Sequence, residues 1–185
     1  MPSTKMLPVG YLAKRVAPKP DFLKAPQIVD IYSVSACISD DFTDYIQYWK
    51  HNGYWLFDSP QIMRRLAEEH AICLDGISFF YYEAFELEFH DRSWRGFNPD
   101  PSFETQVIPP TQKRLEGYDV VSFFARNAPQ CSPLSCNSVA DDITTNSHCL
   151  LKSFEEAETA LQRGVFEAAE PGPYRIFAVY SVEWP

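Results

Sequence analysis

The stretch ISFFYYEAFELEF, residues 77–89, reads as a long β-strand, because it is rich in aromatic residues and its side chains sort by alternate positions. Phe79, Tyr81, Glu83, Phe85, Leu87 and Phe89 fall on one face; Phe80, Tyr82, Glu86, Glu88 and His90 fall on the other. Upstream, DSPQIMRRLAEEHAI (58–72) has Ser59 as a helix cap, Pro60 at the first helical position, and Ile62, Leu66 and Ile72 pointing inward. YWLF (54–57) is a short strand. Before it, Ser39 or Asp40 caps a helix with Phe42, Tyr45, Ile46 and Trp49 on one face, ended by Asn52 and Gly53. IVDIYSVSACIS (28–39) is β-branched and reads as a strand.

Downstream the same order returns. YDVVSFFA (118–125) is a strand, Ser132 and Pro133 open a short helix, HCLL (148–151) is a strand, and SFEEAETALQRG (153–164) is a helix. YRIFAVYSVEW (174–184) closes the chain as a second long strand. NGYWLFDS (52–59) matches NSHCLLKS (146–153) at Asn, Leu and Ser, and Ser153 with Glu156 makes a capping box. The expected fold is therefore α+β: a mixed β-sheet with helices, built from two tandem β-α-β-α-β units related by a pseudo-twofold axis. A single α/β sandwich without duplication is the alternative. Residues 1–26 form an extended N-terminal arm or strand leading into the fold, 27–89 the first unit, 90–117 a connecting loop and 118–185 the second unit, in one globular body.

With 45% hydrophobic and 15% aromatic residues, the chain can bury a substantial core and does not read as disordered. Its formal net charge of -9 disfavours nucleic acid, since basic residues in excess occur only in residues 1–24, as Lys5, Lys14, Arg15, Lys19 and Lys24 against Asp21. No apolar run reaches a membrane span or a signal-peptide core, and five irregularly spaced cysteines point to reduced thiols and a cytoplasmic setting. No Gly-rich phosphate loop, nucleophile elbow or metal-protease motif is present, so no cofactor is expected.

Three places carry candidate chemistry. In CSPLSCN (131–137), Cys131 and Cys136 occupy the two staple positions of a helix start, and Cys131 is also a possible nucleophile near a helix N-terminus. Cys131, Cys136, His148 and Cys149 supply zinc-type donors at poor spacing, so no metal is expected. Glu83 stands among aromatics and needs a partner such as Arg175, or acts as a general base with a raised pKa. Two function classes follow. The first is a protein-binding module of inhibitor, immunity-like or regulatory type, docking a basic protein through Glu86, Glu88, Trp94, Arg95 and Phe97. The second is an enzyme using Cys131, His148 and Glu83 in a groove between the units.

Overall fold

The computed structural model describes residues 5–35, 54–98, 105–124 and 129–183. The helix expected at 42–49 and its caps lie outside these residues, as do Cys37 and Trp184. The described residues form an α+β fold. Strands β1 (Met6–Lys14), β4 (Ser78–Phe85), β5 (Leu87–His90), β6 (Ser93–Gly96), β7 (Arg114–Ser122) and β8 (Tyr174–Val182) make one sheet, and every pairing in it is antiparallel. β2 (Ala17–Pro18) and β3 (Asp30–Ile31) form a separate two-stranded ribbon. The helices are α1 (Pro60–Glu69), the four-residue α2 (Pro133–Cys136) and α3 (Phe154–Gln162).

The sheet is organised around the pair β4 and β8, with β1 outside β4 and β7 outside β8. Both central strands are long runs, β4 rich in aromatic residues and β8 in aromatic and β-branched ones, as their sequences indicate, and they are buried on both faces over most of their length. The expected strand 77–89 is interrupted at Glu86, whose N–H donates to the carbonyl of Lys5 just before β1. β5 then continues along β8 at Phe89↔Tyr174 and returns as β6 through Asp91 and Arg92, both at positive φ (47° and 59°), the geometry of a tight hairpin turn.

Several elements differ from the sequence reading. Within the expected extended arm or strand, residues 6–14 take the strand form as β1, in full register with β4 apart from a break between Pro8 and Gly10. Residues 28–35 give only the Asp30–Ile31 strand. YWLF and HCLL contribute one bridge each, Phe57 to Tyr11 and Leu151 to Tyr118. Ser59, Ser132 and Ser153 each precede a helix as expected, but only the Ser153 hydroxyl accepts a capping N–H, from Glu156. The returning bond from Glu156 closes on the Lys152 N–H at 2.9 Å, one residue before the cap.

Directly paired strand residues project to the same face. One face carries Tyr11, Tyr81, Glu83, Phe85, Tyr118, Val120 and Tyr180, and α3 packs there through Phe154, with ring centroids 4.9 Å from Phe85 and 6.3 Å from Tyr118. The opposite face carries Leu12, Lys14, Phe80, Tyr82, Asp119, Val121, Arg175 and Phe177. Tyr54 and Phe97 cover part of it by ring contacts with Phe123, which itself stacks on Phe177.

Candidate functional site

Glu83 leaves β4 on the α3 face, and both of its oxygens are held there. Tyr81 donates its hydroxyl to Oε1 and Tyr180 donates to Oε2, each at 3.0 Å. Lys113 completes the group with a short bond from Nζ to Oε1. The ammonium also lies 4.9 Å from the Tyr81 ring centroid and 4.1 Å from that of Tyr180, close enough for cation–π attraction. The partner of Glu83 is therefore Lys113 and not Arg175. Burial pushes both tyrosine hydroxyls well above their ordinary pKa, and the Glu83 carboxylate adds to the shift, so both remain proton donors. Residues 105–112 run up to Lys113 as an extended strap without strand or helix, pinned by Thr105 Oγ to the Pro8 carbonyl at 3.2 Å and by Tyr11 OH to the Ile108 carbonyl at 2.6 Å. A cavity of about 450 Å³ opens between the strap and the start of α1, lined by Tyr11, Pro60, Ile108, Pro110 and Glu183.

Cys131 and His148 stand elsewhere, in separate surroundings. The buried Cys131 thiol donates to Asn137 Oδ1 at 3.2 Å, while Cys136 Sγ lies 3.5 Å from Ser35 Oγ. The His148 ring stacks on Tyr32 at 3.9 Å, and its Nδ1 is 2.6 Å from Asp30 Oδ1. The partners of the three candidate groups differ: Asn137 for Cys131, Asp30 and Tyr32 for His148, and Tyr81, Tyr180 and Lys113 for Glu83. Burial raises the Cys149 thiol pKa, which holds it protonated and inert. Among the described residues no group of three or more His, Cys, Asp or Glu is placed to hold a metal ion, and no helix is long and apolar enough to cross a membrane.

The five residues expected to bind a partner divide between surface and interior. Glu86 is partly exposed beside Lys5, at 3.5 Å. Trp94 is half-buried between Phe85 and Phe89, with its indole N–H donating to Glu158 of α3 at 3.1 Å. Arg95 is exposed but donates inward to Glu88 at 2.6 Å. Glu88 is only 1% exposed, and Phe97 packs against the Arg175 guanidinium at 4.0 Å. Alternation explains Glu88. Phe89 pairs with Tyr174, so the preceding residue turns to the face that carries Arg175.

That face also holds three buried charges, of which Lys14 counted in the sequence only as part of a basic stretch, Arg175 only as a partner for Glu83, and Asp119 not at all. Lys14, Asp119 and Arg175 are 3%, 0% and 0% exposed. Asp119 accepts from the Val34 N–H at 2.9 Å and, through a short bond, from Ser132 Oγ; Lys14 donates to the Ser33 carbonyl and sits over the Phe80 ring at 4.8 Å. Desolvation pulls the Lys14 pKa down to about 7, against the opposing pull of Asp119; desolvation pushes Asp119 up to about 6, against its hydrogen bonds and Lys14. Arg175 donates to Tyr54 OH at 2.6 Å and to the Phe85 carbonyl. The available signal was a single charged residue inside each of two apolar strand patterns, GYLAK and YDVV.

On the other side of the sheet, α3 borders an open groove of about 360 Å³. Ile143, Leu151, Ala160 and Val165 supply its apolar lining, Glu155 and Glu156 stand at one end of the helix and Arg163 at the other. The Glu155 carboxyl is held below the ordinary range by the helix N-terminal N–H groups and Ser153. Compared with known proteins, the chain matches no family model, no curated protein and no solved structure.

Proposed function

We propose that this chain is a protein-binding module that docks a basic partner along α3. The groove beside α3 supports this reading: its lining is apolar, and its Glu155 and Glu156 side chains are exposed, which suits an apolar anchor flanked by Lys or Arg. The net charge of -9 would steer such a partner over longer distances. The test places a photo-crosslinking side chain at Thr159 in the groove or at Phe22, an exposed residue outside its lining. The reading expects a basic protein crosslinked from Thr159 and not from Phe22, with association of the purified pair slowed severalfold by added salt or by Glu155→Gln with Glu156→Gln. A partner that crosslinks equally from both positions and binds independently of salt would overturn it.

The architecture we propose behind this module is a duplication, with units β1-α1-β4 and β7-α3-β8 in place of the halves 27–89 and 118–185. Matched irregularities support it. Each outer strand breaks register before a glycine at positive φ, Gly10 (143°) and Gly117 (152°), and the next residue, Tyr11 or Tyr118, bridges to the segment leading into a Ser-capped helix position. At Gly117 a Cβ would meet Leu150 Cβ at 2.7 Å and the Leu151 carbonyl at 2.8 Å, so the close approach needs glycine. The sequence carries the same spacing from Pro2, Thr4, Gly10 and Tyr11 to Pro109, Thr111, Gly117 and Tyr118. The pseudo-twofold axis would then pass through the Tyr82↔Val179 pair at the centre of the sheet. The buried charges break this symmetry: Lys14 and Asp119 have Val121 and Leu12 as their mates.

A further inference from the structure

We propose that Tyr81, Tyr180 and Glu83 form a binding site for an alkylammonium group, the end of a lysine side chain, and that Lys113 of the chain itself fills this site as a displaceable plug. The geometry is that of an aromatic cage with an anionic wall. Two tyrosine faces lie within 5 Å of the bound nitrogen, and the carboxylate behind them is fixed in place by both tyrosine hydroxyls. Fixing Glu83 in this way leaves its remaining lone pairs aimed at the cation, and burial of the tyrosines keeps their hydroxyls as donors rather than competing anions.

Access comes from the plug's own mounting. The Lys113 side chain is 28% exposed and that of Glu83 14%, so the pair lies near the surface and not in the interior. Residues 105–112 before it have no strand or helix pairing, and the 450 Å³ cavity beneath them reaches Tyr11, whose ring lies 5.0 Å from that of Tyr81. A lysine tethered so close acts at a high effective concentration, so an external amine competes poorly until Lys113 is removed. The carboxylate adds selectivity. It accepts an N–H from the ammonium, which favours nitrogens that still carry hydrogens over quaternary ones. The site is distinct from the groove along α3, and either reading can fail without the other.

The experiment titrates n-butylammonium and tetramethylammonium into the full chain and its variants, following tyrosine ring resonances and the melting temperature. Lys113→Ala should bind n-butylammonium about tenfold more tightly than the parent. Added n-butylammonium should raise the melting temperature of that variant, and tetramethylammonium should do so less. Glu83→Gln introduced into Lys113→Ala should abolish the response, and Tyr180→Leu should weaken it. If Lys113→Ala does not fold, Lys113→Met, which keeps the apolar stem, takes its place. No saturable response in a folded Lys113 variant, or an undiminished one after Glu83→Gln, would overturn the proposal and leave Lys113 and Glu83 as an internal ion pair only.

Discussion

Two lysines approach β4 from opposite faces, and each meets the same chemistry at a different depth. Lys14 lies over Phe80 and Tyr82 and is coupled to Asp119; Lys113 lies over Tyr81 and Tyr180 and is bonded to Glu83. The first is buried completely, whereas the second keeps about a quarter of its side chain in water. Depth decides what the arrangement does. In the interior, desolvation outweighs the partner's charge and drives the ammonium and the carboxylate towards neutrality, so the group specifies the packing of Ser33, Val34 and Ser132 around Asp119. At the surface Lys113 keeps part of its side chain in water, and the contact can exchange.

Breaking the inner group should give the largest effect. Lys14→Met leaves Asp119 buried without its cation, and Asp119→Leu leaves the ammonium, so each should lower stability by about 3–5 kcal/mol in urea unfolding. The double variant Lys14→Met with Asp119→Leu should recover most of that loss, because no buried charge remains. Additive losses would mean that the two residues act separately, and the comparison would lose its inner half.

The pH profile sharpens the same contrast. Asp119 has a folded pKa near 6, above its ordinary 3.8, so its contribution to stability is full below the ordinary value and is lost as pH rises through about 6. Lys14 has a folded pKa near 7, below its ordinary 10.5, so its contribution is present above the ordinary value and is lost as pH falls through about 7. Together they make a stability minimum between pH 6 and 7. Melting temperatures across pH 4–10 should show that minimum in the parent and not in the double variant; a minimum that survives would have to come from other groups.

The difference in depth also marks what could be read in the sequence. Helix starts were legible at Ser59-Pro60, Ser132-Pro133 and Ser153, because capping is local and a few residues carry it. The long strands β4 and β8 were legible from composition alone. β1 was legible only as an extended arm or strand, since Pro8, Gly10 and Lys14 interrupt the apolar pattern, and only pairing with β4 shows that Lys14 is buried. Glu83 stood out as a carboxylate among aromatics, yet its cation lies 30 residues downstream in a segment with no pattern, and no local rule could select it. Asp119 failed for the opposite reason: one acidic residue in a strand ordinarily faces water, and its donors come from Ser33, Val34 and Ser132, which the fold alone brings together.

The smallest effect is expected at the outer lysine. Lys113→Ala removes a partly exposed cation but leaves Glu83 with both tyrosine donors and a path to solvent, so no buried charge is stranded. The loss should not exceed about 1 kcal/mol, as for surface ion pairs, and it should shrink further in high salt. Urea unfolding of this variant beside Lys14→Met measures the contrast directly. If the two losses are equal, the water-facing position of Lys113 has no energetic meaning, and a plug held that tightly could not yield to another ammonium group.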